Sequence, residues 1–325
     1  MKQRRKLLGV GWNRFGQIEF DEINESKESP VLVQTMDFST IIMMENGNIE
    51  CVGYEIEQLS WISSELYRKN EISNRCIYEI QNDHHFDNFS ISESSVVLFS
   101  SAYPGVYIIK EDREDSMVCK NNETQFIRVK SGKSFHFLES KSEEFHGKRD
   151  LWVYGEGKYG ELGLGENITS TGQELMKLEF GDFELVDFCV SFHSYFLLVN
   201  ELNKSSQELM VGGLVSYLVN VPDNDVRGCV WSPTSNLINI SHLMEGGEFI
   251  KFSFFLREKI FFNSFHTHFS YLHCYLLDRV GCSTNYVILI SSFGDCYLLG
   301  EDPIHQNQSQ SHSPFFKLFL LTNIL

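Results

Sequence analysis

Three groups of residues in this sequence have types and spacings that chemistry uses. Gly155, Gly157 and Gly160 form a G-x-G-x-x-G run after the apolar Leu151-Trp152-Val153-Tyr154. That spacing lets backbone approach a dinucleotide pyrophosphate at a helix N-terminus. His266 and His268 stand two apart, with His273 and Cys274 just beyond, and all are residue types that ligate zinc. Ser191-Phe192-His193-Ser194 puts hydroxyls beside an imidazole, the groups from which a nucleophile and its base are made. Each group also has a structural reading. The glycine fingerprint needs a helix to begin at once, and here Glu161-Leu162-Gly163-Leu164-Gly165 follows, too glycine-rich to start one. The histidines match no standard ligand spacing and alternate like the outward face of a half-buried strand. Asp83-His84-His85 reads as a polar loop. No serine sits in a G-x-S-x-G elbow. The expectation is no catalytic residue, no cofactor and no metal.

Charge narrows the partners. The 325 residues carry 27 Lys and Arg against 44 Asp and Glu, a net charge of −17. A surface of that sign repels a phosphate backbone, so no direct nucleic acid is expected, while a basic protein partner suits it. The basic start, Lys2 to Lys6, reads either as an import signal or as a solvated terminus. It leads into no apolar signal region. No stretch approaches the length of a membrane span, so no membrane is expected. The eight cysteines include no C-x-x-C pair. Cys51, Cys189 and Cys296 lie in apolar strands, where a thiol behaves as a small hydrophobe. Reduced cysteines in a nuclear and/or cytoplasmic protein are expected, and the sequons at Asn122, Asn167 and Asn239 then carry no weight.

The elements that must position these groups recur. Gly11 and Gly16 stand five apart with Phe15 before the second, and Gly155 and Gly160 do the same with Tyr159. Both sets follow an apolar run. Elsewhere an apolar strand, a turn and a second strand end on Gly53, Gly212 and Gly300, with Lys110 and Ser264 at the same place in two weaker copies. The intervals give seven irregular units of about 46 residues, the length of a four-stranded propeller blade. The long interval after Gly53 spaces Ile56, Leu59, Ile62 and Leu66 like a short amphipathic helix in a loop. The expected fold is all-β: a seven-bladed β-propeller of four-stranded antiparallel blades, some degenerate. Residues 1–325 would form one domain, closed by pairing residues 6–11 with the last 15 or so.

The segment from Leu151 to Val199, with its glycine cluster and its Ser191-Phe192-His193-Ser194, resembles a repeat of the regulator-of-chromosome-condensation family. Gly11 to Gln17 is similar to the same motif. The short length resembles the family's small single-propeller members. The resemblance implies structural roles for Gly11, Phe15, Gly16, Gly53, Gly155, Gly157, Tyr159, Gly160, Leu162, Gly163, Gly165, His193, Ser194, Gly212 and Gly300. Leu162 and Leu164, alternating with glycines, would pack between blades. Lys110 in place of glycine, and Phe135-His136 in place of His-Ser, depart from the pattern. For function the resemblance implies a non-enzymatic, chromatin-linked scaffold that holds a histone-modifying enzyme or another protein partner. The alternative is a guanine-nucleotide exchange factor for a small GTPase. Which surface binds the partner is not read from the sequence.

Overall fold

The structure is a computed structural model. It describes residue 20, residues 28–213 apart from 37, 73–74, 82–84, 112–123, 142–148, 166–167, 180 and 203–206, and the segments 238–239, 277–282, 286–291 and 296–300. Nineteen strands and a single one-turn helix make up the regular structure of these residues. The anchors Gly11 and Gly16 with Phe15, the anchor Ser264, the cluster His266 to Cys274 and both segments proposed to close the ring lie outside the described residues.

Five antiparallel sheets are built one after another along the chain. The first contains β1 (Pro30–Thr35), β2 (Ser39–Met44), β3 (Ile49–Gly53), β4 (Tyr67–Ile72) and β5 (Arg75–Ile80), in the order β1-β2-β3-β5-β4. The second has β6 (Asn88–Ile91), β7 (Val96–Phe99) and β8 (Tyr107–Ile109). The third has β9 (Phe126–Ser131), β10 (Phe135–Lys141), β11 (Arg149–Gly155) and β12 (Met176–Lys177). The fourth has β13 (Phe183–Val190), β14 (Ser194–Glu201), β15 (Gln207–Gly213) and β16 (Ile238–Asn239). The fifth has β17 (Leu277–Cys282), β18 (Tyr286–Ser291) and β19 (Cys296–Gly300).

Each anchor closes the third strand of its sheet. Gly53 ends β3, Gly155 ends β11, Gly300 ends β19, and Lys110 follows β8 directly. In the fourth sheet β15 runs one residue past Gly212. Gly213 faces Ser194 there, as Gly155 faces Phe135 and Gly53 faces Ser39. The departure at Lys110 has its own packing, with the ammonium 5.0 Å from the centre of the Tyr154 ring, a cation–π distance.

The helix expected over Ile56–Leu66 is cut short. Only Glu57–Ser60 is helical, here called α1, and it carries no side-chain cap. By Tyr67 the chain is already strand. The long interval instead holds an added strand, β4, which pairs with β5 at the sheet edge. A four-residue helix cannot be stable on its own, and packing of Leu59 and Ile62 into the core fixes it.

Two compact units divide these sheets, residues 1–155 with 171–177, and residues 156–170 with 178–325. In the first unit, consecutive sheets pack face to face by strand alternation. Val96 and Leu98 of β7 join a core with Ile41, Met43 and Ile49, whereas Val97 and Phe99 join Phe126, Leu138 and Tyr154. Middle strands are therefore buried on both sides: every described residue of β2 and β7 is buried. The first sheet also buries Ile42, Met44 and Val52 with Phe20 on its other face. In the second unit the Val280 amide donates to the Asp187 carboxylate at 2.8 Å, tying the fifth sheet to the fourth.

Polar groups join the first unit's sheets where their first strands run. The Gln34 side chain accepts from the Ile91 amide at 2.9 Å and donates to the Ile91 carbonyl at 2.7 Å, imitating a strand. Buried Glu139 is held by Arg128 at 2.7 Å and Arg149 at 3.0 Å, since a carboxylate removed from water needs such partners.

Candidate functional site

The glycine-rich loop after β11 and the turn between β13 and β14 form one surface feature. Both lie in the second unit from Glu156 onward. Gly155 has φ +121° and Gly160 +80°, values side chains other than glycine rarely adopt. The loop is pinned from within. The Gly157 amide donates to the Thr169 carbonyl at 2.9 Å, and the Gly163 amide to the Gly160 carbonyl at 3.1 Å. Residues 157–165 run as bends and turns without any helix, so the amides are not arrayed to receive a pyrophosphate.

Glu161 is the centre of the feature. It is almost fully buried, accepts the Tyr159 amide at 2.5 Å and lies 3.3 Å from the His193 Nδ1. His193 meets Tyr159 edge to face at 5.9 Å and Phe192 at 4.8 Å. Tyr159 is 47% exposed and Phe192 41%. The result is an aromatic patch whose backbone is fixed by a buried carboxylate and whose rings face water. Aromatic rings on a rigid base are what protein interfaces use as anchors.

Below the patch the loop is packed. Leu162 and Ser194 are fully buried. A Cβ on Gly163 would come 2.7 Å from the Tyr195 hydroxyl, and one on Gly212 would come 2.2 Å from the same atom. Tyr195 thus explains two glycines at once. Gly165 has φ +102°. Sequence reading places His193, Ser194 and the glycines but misses Glu161, Phe192 and Tyr195 as participants. The signal for Tyr195 was its position directly after the motif serine, in a strand where it must point inward.

Two other clusters attract a chemical reading. In the first unit, ligand atoms of Glu55, Glu71 and Cys76 lie within 4.8 Å of one another. The Lys69 ammonium stands between the carboxylates, 2.8 Å from Glu55 and 2.9 Å from Glu71, where it supplies the positive charge a metal would bring. Burial would raise the Glu55 carboxyl, but hydrogen bonds from Lys69 and Tyr78 outweigh it and hold it below its usual range. Beside this cluster a cavity of 330 Å³ is lined by Leu59, Ile62, Tyr67, Lys69 and Tyr78 among others, without converging acid and base groups.

The second cluster is His136, fully buried between two serines. Its Nε2 is 2.7 Å from the Ser95 hydroxyl and its Nδ1 2.5 Å from that of Ser131. Ser131 donates onward to Ser90 at 2.6 Å, and Ser90 to Gln34 at 3.3 Å. Because Ser131 spends its proton on Ser90, it accepts from Nδ1–H, leaving Nε2 to accept from Ser95. A serine and a histidine so enclosed meet no substrate. With Ser90 and Gln34 they form a chain of hydrogen bonds that joins three sheets.

No protein-family model matches the sequence, and no curated protein matches it. Solved structures do. Human WBSCR16 is similar with a TM-score of 0.50 at 11% identity, over 90% of this chain and 67% of that one. Yeast RCC1 (Prp20), in a structure bound to Kap60, gives 0.49 at 10% identity, over 89% of this chain and 64% of that one. Prp20p from Saccharomyces cerevisiae, described with its binding to Gsp1p and histones, gives 0.49 at 12%, over 89% and 66%. This chain spans 64% and 66% of the length of those two yeast chains. At such identities the likeness is one of fold. The fold is the all-β one of RCC1-repeat propellers.

Proposed function

We propose that this protein is a non-enzymatic interaction platform, a single seven-bladed ring in which the described sheets are blades and the glycines hold loops in place. Its partner is a basic protein segment, as on a histone tail or the enzyme that modifies one, which places the protein in the nucleus, the cytoplasm or both. One observation carries the reading: Tyr159, Phe192 and His193 form an exposed aromatic patch on a base fixed by buried Glu161. A net charge of −17 favours a basic partner over an acidic one. Among the described residues no helix is long and apolar enough to cross a membrane.

Fluorescence anisotropy with an unmodified histone-tail peptide and its lysine-acetylated form tests the proposal. Binding is expected for the unmodified peptide, weaker for the acetylated one, and to weaken with salt. The double variant Tyr159→Ser, Phe192→Ser should lose about tenfold or more in affinity and melt within a few degrees of the wild type, since both rings lie outside the buried core. Undiminished binding by the variant would move the interface elsewhere. Accelerated nucleotide release from a purified small-GTPase panel, without peptide binding, would favour an exchange factor.

A further inference from the structure

Cys51 and Cys76 are direct partners across β3 and β5. Residues directly opposite in an antiparallel pair point to the same face with their Cα atoms about 4.5–5.5 Å apart. That range lies within the 4.4–6.8 Å a disulfide spans. Both thiols are free. Cys51 is buried in the first unit's core, and Cys76 packs against that core while staying partly exposed. The Cys51 thiol makes a long contact, 3.8 Å, to the Tyr54 carbonyl. Two cysteines in register, one reachable from solvent and one behind it, form an attacking and a resolving pair.

We propose that Cys51 and Cys76 are a redox modification site, converted to an intramolecular cross-strand disulfide by exchange with a low-molecular-weight disulfide. In the first step the Cys76 thiolate attacks one sulfur of oxidised glutathione, forming a mixed disulfide and releasing one reduced glutathione. In the second the Cys51 thiolate attacks the Cys76 sulfur and expels the second glutathione. The two protein thiols are oxidised, their protons pass to the departing glutathione thiolates, and one disulfide outside the protein is reduced. Exchange proceeds through thiolates, and burial pushes the Cys51 thiol up to about 12 and raises that of Cys76 as well. Glu55 adds to both rises by repulsion, Glu71 adds to that of Cys76, and Lys69 opposes them. Exchange at this pair is therefore slow at neutral pH and quickens as pH rises.

The bond has a structural consequence. It closes the loop from Cys51 to Cys76, which carries exposed Tyr54, α1, the wall of the 330 Å³ cavity and the edge strand β4. In the reduced protein the only strand that β4 pairs with among the described residues is β5, with Tyr67 at its start donating to the Gly47 carbonyl at 2.9 Å. Oxidation pins β5 covalently to β3 and so fixes the insertion.

The test uses the full chain, incubated with oxidised glutathione at mildly alkaline pH, then alkylated, digested and read by mass spectrometry. The wild type should show a Cys51–Cys76 cross-linked peptide and no glutathione retained at Cys76. Cys51→Ser, which lacks the resolving thiol, should hold one glutathione at Cys76. Cys76→Ser should leave Cys51 unmodified. Hydrogen exchange should show β4 and β5 slowed in the oxidised wild type relative to a reductant-treated aliquot. Glutathione retained at Cys76 in the wild type, or both thiols alkylated after prolonged incubation, would overturn the proposal. Should Cys51→Ser fail to fold, Cys51→Ala replaces it, and the wild-type cross-link alone still decides.

Discussion

Gly155→Ala is expected to melt well below the wild type, with a loss on the order of 3 kcal/mol or more. Two causes add. Gly155 has φ +121°, a region side chains avoid. A Cβ there would also stand 2.3 Å from the Ser134 carbonyl oxygen and 2.7 Å from the Phe135 Cα. Those are backbone atoms in the turn that starts β10, so no side chain can swing away. Gly213→Ala should behave alike, since its added Cβ would be 2.3 Å from the His193 carbonyl and 2.9 Å from the Ser194 Cα, at φ +89°. Gly172→Ala supplies the contrast: φ is +66°, but nothing lies within 4 Å of the added atom. It should cost only its backbone strain, about 1 kcal/mol. Thermal and urea melts of the three variants check this ordering. Equal losses at all three sites would show that close approach of neighbouring backbone is not what the anchor glycines serve.

Acid should unfold the protein through His136. Burial, with repulsion from Lys110 second, lowers this imidazole from 6.5 to about 3. Its hydrogen bonds agree, because protonating Nε2 would destroy the acceptor that Ser95 uses. The folded pKa lies below the unfolded one, so between these values the unfolded chain binds a proton that the native chain refuses. The contribution is fully present above pH 6.5 and is lost as pH falls toward 3. Within the window stability should fall by up to about 1.4 kcal/mol per pH unit from this residue, roughly 5 kcal/mol in all. His136→Gln loses some stability at neutral pH yet should show a shallower slope, by close to one proton, between pH 6 and 4. Carboxylates such as Glu50 and Glu139 remain in both proteins and cancel in the comparison. Urea unfolding across pH 4–8 measures it. Parallel slopes would mean that His136 is protonated without cost in the native state.

The sequence by itself determined the all-β character and the third-strand ends at Gly53, Gly155 and Gly300. Those signals are local: an unbroken apolar run such as Val96-Val97-Leu98-Phe99 suits a strand buried on both faces, and glycines mark third-strand ends except where Lys110 follows β8. The departures from the repeat were also visible, at Lys110 and His136, though not what fills them. Only the tertiary structure decided which distant residues meet. It set Tyr195 against Gly163 and Gly212, ran hydrogen bonds from Ser95 through His136 and Ser131 to Ser90, and placed Cys51 opposite Cys76. It also cut an expected helix over Ile56–Leu66 to a single turn followed by the edge strand β4, because a short helix lasts only where packing holds it. Each of these depends on strand register and on the stacking of one sheet upon the next. Register shifted by a single residue reverses every side chain, and it is fixed by contacts between segments far apart in the chain, which no local window of sequence contains.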